Sequence, residues 1–402
     1  MAKVTILQVV PRLEAGGSEQ AAVEIADALS KGGASALVAT EGGRMATALA
    51  EAGGEIVPLP MASKSPLKIL ANARSLARLI EEREIKLVHA RSRAPAWSAL
   101  LAARRTGRPF VTTYHGSYSS PGPFKNLYNS VMARGDRVIA NSRYTADLIV
   151  SRHKVARERL RVIYRGVDLA KFSPDRVTQN RVGRLRALWG VGQQQPVVLQ
   201  PARLTSWKGQ PIVIEAADQL LRDKRLGDAV FVMAGDVQGR AAYRKELTEQ
   251  IARLGLEERV KLVGHCDDMP AAFALAQVSV IASTSAETFG RTSVEAQAMG
   301  CPVILTDIGA APETIVTATS DRQDFTGWVV PRNDAAALAE RVAEALALSS
   351  EERAAAGARA RNHVAVKFTL GRMQRATLAV YDELLGTHLA DRFGPSHATL
   401  SL

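Results

Sequence analysis

Short runs of valine, isoleucine and leucine alternate with longer amphipathic stretches along most of this 402-residue chain, and the alternation restarts once. Val4 to Val10 opens the pattern, followed by the turn Glu14-Ala15-Gly16-Gly17 and an amphipathic stretch from Ser18 to Lys31. Ala36 to Thr40, Ile56 to Leu59, Leu87 to His89, Phe110 to Tyr114 and Arg137 to Ala140 repeat the theme. Runs that are apolar almost throughout, separated by helical patterns, fit parallel strands covered on both faces. The fold class is therefore α/β and doubly wound.

The second round begins at Pro196 to Pro201, continues with a loop at Lys208-Gly209 and a helix from Gln210 to about Asp223, and adds strands at Ala229 to Ala234, Val260 to Val263, Val278 to Ala282 and Pro302 to Thr306. Two Rossmann-like units in tandem account for the length better than one large sheet. The expected organisation is a first domain over residues 1–175, a polar, glutamine-rich linker over 176–195, and a second domain over 196–368. A last helix lies within 369–388, about Leu370 to Leu385, and a frayed tail covers 389–402. That helix can pack locally or cross back to the first domain; the sequence leaves both open.

Charge is divided unevenly. Residues 1–180 hold 27 Lys and Arg against 15 Asp and Glu, which accounts for the whole net charge of +12. The stretch Lys86 to Arg176 alone has 18 basic and 5 acidic residues. Such a surface suits nucleic acid, an anionic membrane or an acidic substrate, or is a solvated arginine-rich face with no partner. No apolar run reaches the ~18 residues of a spanning helix. Cys266 and Cys301 are too few for a disulfide framework, and no signal peptide opens the chain, so the cytoplasm is the expected compartment.

The chemistry concentrates at strand ends. Gly16-Gly17 lies between the first strand and its helix, where glycine lets a backbone approach phosphate or simply makes a turn. A full G-x-G-x-x-G and a Walker lysine motif are both missing, against a dinucleotide enzyme or P-loop ATPase. In Ser283-Thr284-Ser285-Ala286-Glu287-Thr288-Phe289-Gly290-Arg291-Thr292-Ser293-Val294-Glu295, a strand ends, a loop runs to Gly290 and a helix begins near Arg291. The N–H groups around Gly290 and Arg291 make an anion nest, with Glu287 and Glu295 on either side for hydroxyl-rich groups. Arg203 and Lys208 follow the first strand of the second unit and supply cations for a pyrophosphate. His115 and His89 stand at strand ends in the first unit; neither pairs with a carboxylate or cysteine at metal-ligand spacing, and His265-Cys266-Asp267 is too sparse for zinc.

These residues occur in an order that resembles the family 4 retaining glycosyltransferases, from Ile6 to about Leu385. Gly16-Gly17-Ser18-Glu19, Thr113-Tyr114-His115-Gly116, Ala140-Asn141-Ser142 and Gly166-Val167-Asp168 with Phe172 come first. Arg203-Leu204 with Lys208-Gly209, Ala234-Gly235-Asp236, the glutamates with seven residues between them and Gly300-Cys301-Pro302-Val303-Ile304 follow. The resemblance implies the GT-B fold, with two Rossmann-like domains facing across a cleft, and a UDP- or GDP-sugar as donor substrate, with no metal or other cofactor required. It assigns donor binding to Gly16, Gly17, Arg203, Lys208, Glu287, Phe289, Gly290, Arg291, Thr292 and Glu295, with Glu295 on the ribose and Gly17 closing over the diphosphate. Catalytic roles fall to His115 beside the transferred sugar, Glu287 near the reacting centre, and Arg203 and Lys208 on the leaving diphosphate.

The sequence departs from the family at Arg165, where asparagine often precedes Gly-Val-Asp, and at Arg291, where a small or aliphatic residue is common. Arg91-Ser92-Arg93-Ala94-Pro95-Ala96-Trp97 with Tyr114-His115-Gly116 resembles bacterial members that build cell-surface glycans of the lipopolysaccharide type. The expected acceptor is then a lipid-linked or envelope glycan, with residues 86–176 against an anionic membrane or an acidic acceptor. A small soluble acceptor is the other enzyme reading. Nucleic acid is not an expected partner, because the basic stretch lacks an aromatic stacking platform.

Overall fold

The structure, a computed structural model, describes residues 3–14, 16–116, 118, 122–319 and 324–394. The chain gathers into two compact units, one formed by Met1–Gly166 with Leu370–Leu402 and the other by Val167–Thr369. In the first unit β1 (Thr5–Val9), β2 (Ser35–Thr40), β3 (Gly54–Pro58), β4 (Ile85–Ala90), β5 (Phe110–Tyr114), β6 (Arg137–Ala140) and β7 (Leu160–Val162) form one sheet in the order β3-β2-β1-β4-β5-β6-β7. All its pairs are parallel, and Gln8 lies in register between Val38 and His89. In the second unit β8 (Val197–Pro201), β9 (Val230–Ala234), β10 (Val260–Gly264), β11 (Val278–Ile281), β12 (Val303–Thr306) and β13 (Gly327–Val330) pair in the order β10-β9-β8-β11-β12-β13, again all parallel.

The strands form because their residues are buried on both faces: β5 and β9 are buried from end to end. Helices on each side complete the layers. In both sheets the winding reverses beside the first strand, between β1 and β4 and between β8 and β11. Ligand crevices of open α/β sheets lie at the carboxyl ends of strands flanking such a reversal. The two short edge strands β7 and β13 escaped the sequence pattern, one having three residues in a charged stretch and the other opening on glycine.

The last long helix, Leu370–Leu385, belongs to the first unit and fills its core. Met373, Leu378, Val380 and Tyr381 share one apolar cluster with Ile6, Leu29 and Leu87. Gln374 donates to the Glu24 carbonyl at 2.7 Å, and Glu383 accepts from Arg137 at 2.6 Å and from Arg161 at 2.5 Å.

Two boundaries need correction. The unit boundary falls after Gly166 rather than near residue 175, and 176–195 is not a linker. It contains the helix Gln179–Trp189, capped by Thr178, with Leu185 and Trp189 buried and Arg181 bonded to Asp268 at 2.5 and 2.8 Å. Two apolar anchors among many polar residues gave too weak a stripe to show a packed helix. The expected tail likewise begins as structure. Leu389 and Ala390 are buried in the helix Leu389–Phe393, with both of their N–H groups held by the Asp382 carboxylate. Residues 395–402 of that tail lie outside the described residues.

Candidate active site

In the second unit, the loops after β8 and β11 meet. Lys208 Nζ lies 2.6 Å from Glu287 Oε1, with both side chains about 15% exposed. Ser283 Oγ donates to the same carboxylate oxygen, and the Trp207 ring covers the ammonium with its centroid 4.3 Å away. The loop is fixed from behind: Gln200 of β8 donates to the Lys208 carbonyl at 2.8 Å, and Thr284 N–H donates to the Trp207 carbonyl at 2.9 Å. Gly209 ends the turn at φ +70°, where a Cβ would stand 1.9 Å from the Ala282 carbonyl oxygen. Only glycine permits that approach.

The Glu287 backbone is clamped from the loop after β12. Gly309 bridges to Glu287, Ala310 N–H donates to the Glu287 carbonyl at 2.8 Å, and a Cβ on Gly309 would meet the Glu287 backbone at 2.5 Å. Gly290, at φ +93°, then caps the helix Arg291–Ala298. Arg291 Nε donates to Glu295 Oε1 at 2.9 Å one turn along. Phe289 is buried and packs edge-on against Phe368 at 5.8 Å. Thr292 sits in the first turn of the same helix.

Four of the expected residues thus form two ion pairs, Lys208–Glu287 and Arg291–Glu295, and Gly290 lies between Glu287 and Arg291 in the chain. Arg203 shares the Lys208 loop, but its guanidinium bonds to Gln238 at 3.0 Å rather than to either glutamate. Gln210 holds the Arg203 carbonyl at 3.0 Å and is itself held by Tyr243 OH at 3.0 Å. Sequence reasoning missed Gly309, whose backbone meets that of Glu287, and Gln200, whose side-chain amide holds the Lys208 carbonyl. Cations and carboxylates in this arrangement can neutralise a polyanion and accept hydrogen bonds from hydroxyls.

In the first unit, Gly17 starts the helix Gly17–Lys31 with Gly16 as its cap, and His115 follows β5. Arg165, beyond β7, joins them: its Nη2 lies 2.5 Å from His115 Nδ1 and 2.9 Å from the Gly17 carbonyl oxygen. Beneath them is a polar layer inside the core. His89, fully buried, has Nδ1 2.6 Å from Tyr381 OH and 3.3 Å from Arg91 Nη2, and its Nε2 is 2.7 Å from Thr113 Oγ1. Arg91, 3% exposed, donates through Nε to Gln8 at 2.7 Å. Burial, then the positive charge of Arg91 and Arg165, holds His89 well below the usual imidazole range. Burial followed by Arg165, Arg91 and His89 does the same to His115. Both rings are therefore neutral at physiological pH, as hydrogen-bonding groups rather than charges.

Among the described residues, no three His, Cys, Asp or Glu side chains gather as a metal-binding group. No helix among them is long and apolar enough to cross a membrane.

Two doubly wound parallel units are the architecture of the GT-B fold, shared with the solved glycosyltransferases named below. The chain belongs to the family 4 glycosyltransferases: residues 15–171 match the profile of Glycosyltransferase Family 4, and residues 184–363 match that of Glycosyl transferases group 1. It is 30% identical to D-inositol 3-phosphate glycosyltransferase of Salinispora arenicola over 75% of this chain and 68% of that one. It is 30% identical to the GDP-mannose-dependent alpha-(1-6)-phosphatidylinositol monomannoside mannosyltransferase of Mycolicibacterium smegmatis, over 76% and 78% of the two chains. Among solved structures, a glycosyltransferase from Rickettsia africae superposes with a TM-score of 0.87 at 32% identity, covering 96% of this chain and 100% of that one. Anabaena Alr3699/HepE, in complex with UDP and glucose, gives 0.80 at 25% identity, covering 95% and 100%.

Proposed function

We propose that this enzyme transfers a sugar from a UDP- or GDP-sugar, with retention of configuration, to a lipid-linked or cell-envelope glycan of the lipopolysaccharide type. The observation that carries the reading is the Lys208–Glu287 pair, seated beside the glycine-capped helix that leads to Glu295. Lys208 and Arg203 neutralise the diphosphate, the Gly290 cap offers N–H groups to it, and Glu295 accepts from ribose hydroxyls. Glu287 faces the donor sugar. The bond from the anomeric carbon to the phosphate oxygen breaks while the acceptor oxygen bonds to the same face. The departing phosphate oxygen takes the acceptor's proton, so no second protein carboxylate is required. In this reading the charge that develops on the diphosphate is met by Lys208 and Arg203, without a metal cofactor. The same reading gives His115 a contact with the transferred sugar and Gly17 one with the diphosphate.

The test is a panel of UDP-, GDP- and ADP-sugars, read by thermal stabilisation and slow hydrolysis, with and without EDTA. At least one UDP- or GDP-sugar should stabilise the protein and be turned over equally in EDTA, while Glu295→Ala weakens the binding. A protein indifferent to the whole panel is not a nucleotide-sugar enzyme.

The acceptor side is read from the first unit. No Asp or Glu occurs between Glu55 and Glu81 or between Glu84 and Asp136. Within those stretches Leu67 is 80% exposed and Phe124 88%, with Leu70 and Leu127 about half exposed. Lys64 and Lys125, next to these leucines and Phe124 in the chain, line one cavity of about 630 Å³ with Arg93 and Tyr128. Exposed apolar side chains among lysines suit the surface of an anionic bilayer on the cytoplasmic side, at about 1 kcal/mol per basic residue. Binding to anionic but not neutral vesicles, lost in salt and weakened by Phe124→Ser with Leu67→Ser, is the expected result. No vesicle binding would favour a small soluble acceptor, the reading to which the inositol-phosphate relative lends support.

A further inference from the structure

We propose that Arg165 is a positioning residue which locks His115 as the neutral Nε2–H tautomer and ties it to the Gly17 turn. The inference rests on the reading of His115 as a sugar-facing group. A guanidinium carries only donors. With Arg165 Nη2 at 2.5 Å, His115 Nδ1 must therefore offer its lone pair, and the ring proton resides on Nε2. The same Nη2 reaches the Gly17 carbonyl at 2.9 Å, so one charged group spans two segments 98 residues apart in the chain, the helix start at Gly17 and the end of β5 at His115.

The layer below repeats the arrangement. His89 turns Nδ1 to Arg91 and to Tyr381 OH, and its Nε2 to Thr113 Oγ1. Arginine and phenol N–H and O–H groups donate to Nδ1, leaving Nε2–H to donate to the threonine. His115 is thus enclosed by Arg165 from the loop beyond β7 and by Arg91 and His89 from the end of β4, none of which stabilises an imidazolium. Glu19, on the helix that Gly17 begins, is bonded to Ser18 Oγ at 2.8 Å.

The functional consequence is a fixed donor. His115 presents an N–H of constant direction to an oxygen of the sugar and does not act as a general base at neutral pH. Asparagine, common at the position of Arg165 in the family, is neutral and brings no guanidinium to the ring. The placement of the imidazole is thus a property that Arg165 gives to this chain.

Ring ¹⁵N spectra of the full-length protein test the lock directly, with His115→Gln assigning the resonance. The expected spectrum at pH 7 shows His115 protonated at Nε2 alone; in Arg165→Met it becomes a tautomer mixture and titrates at higher pH than in the wild type. Steady-state kinetics on the nucleotide sugar found by the donor panel should show kcat lower by on the order of tenfold to a hundredfold, with donor KM little changed. The acid limb of kcat should move upward in pH, since a ring freed of the guanidinium protonates more readily. Arg165→Lys, which keeps a cation on a shorter side chain, should recover part of kcat. An Nδ1–H ring in the wild type, or an unchanged kcat and acid limb in Arg165→Met, overturns the proposal. Failure of the glycosyltransferase reading is separate: no sugar in the panel would turn over, whatever the ring spectrum.

Discussion

Changing Lys208 to methionine should lower kcat by ~10²–10³-fold, the usual loss when a preorganised partner of a developing charge is removed. Two effects combine. On the proposed reading the leaving diphosphate loses a point charge, and Glu287, about 15% exposed, loses its counter-ion. Breaking one side of such a pair also destabilises the fold, because the remaining carboxylate stays desolvated. The double replacement Lys208→Met with Glu287→Gln separates the two effects. It removes the stranded charge, so thermal stability should return towards the wild type while turnover stays lost. Stopped assays for kcat and differential scanning calorimetry read the two quantities independently. A double variant that regained activity with its stability would reduce Lys208 to a structural counter-ion.

The second large effect is on folding. Tyr381 is fully buried, on a helix some 290 residues away in sequence from its partner His89. Tyr381→Ala should cost about 3–5 kcal/mol, the range for emptying an aromatic site in a core. In a unit of this size that corresponds to a fall in Tm on the order of 10 °C. Tyr381→Phe keeps the ring and removes only the hydroxyl, leaving His89 with one fewer donor, and should cost about 1–3 kcal/mol. Calorimetry of the full chain should show the loss in the transition of the first unit, with the other unit's transition in place. Equal, small shifts for both variants would mean that the C-terminal helix contributes little to that core.

Much of this architecture was legible in the sequence because its determinants are local. Apolar runs such as Phe110 to Tyr114 announce buried strands, and the periodicity from about Leu370 to Leu385 marks the last long helix. The meeting of Lys208 with Glu287 followed from both residues lying beyond the carboxyl ends of strands that a doubly wound sheet places side by side. What stayed hidden depends on distant partners. Arg165 stands out in the sequence only as a departure from the family's asparagine, and its partners Gly17 and His115 emerge on folding. Gly309 reads as an ordinary turn glycine until β12 delivers it to the Glu287 backbone. Arg203 stood near Lys208 in the sequence, yet its side chain turns to Gln238, since two cations five residues apart in a loop need not share a target. The helix Gln179–Trp189 was obscured for a different reason: its stability comes from two buried side chains and the Arg181–Asp268 bond rather than from a broad apolar face.

The return of Leu370–Leu385 to the first unit has a consequence for how the molecule is made. A ribosome releases residues 1–166 first, yet the core that Tyr381, Leu378 and Met373 complete cannot close until the last helix has left the tunnel. The second unit, wholly contained in Val167–Thr369, has all of its chain available earlier. Synthesis order and completion order are therefore inverted. During translation of the second unit, the first must wait with an open apolar stripe and the buried polar layer of His89 and Arg91 still wet.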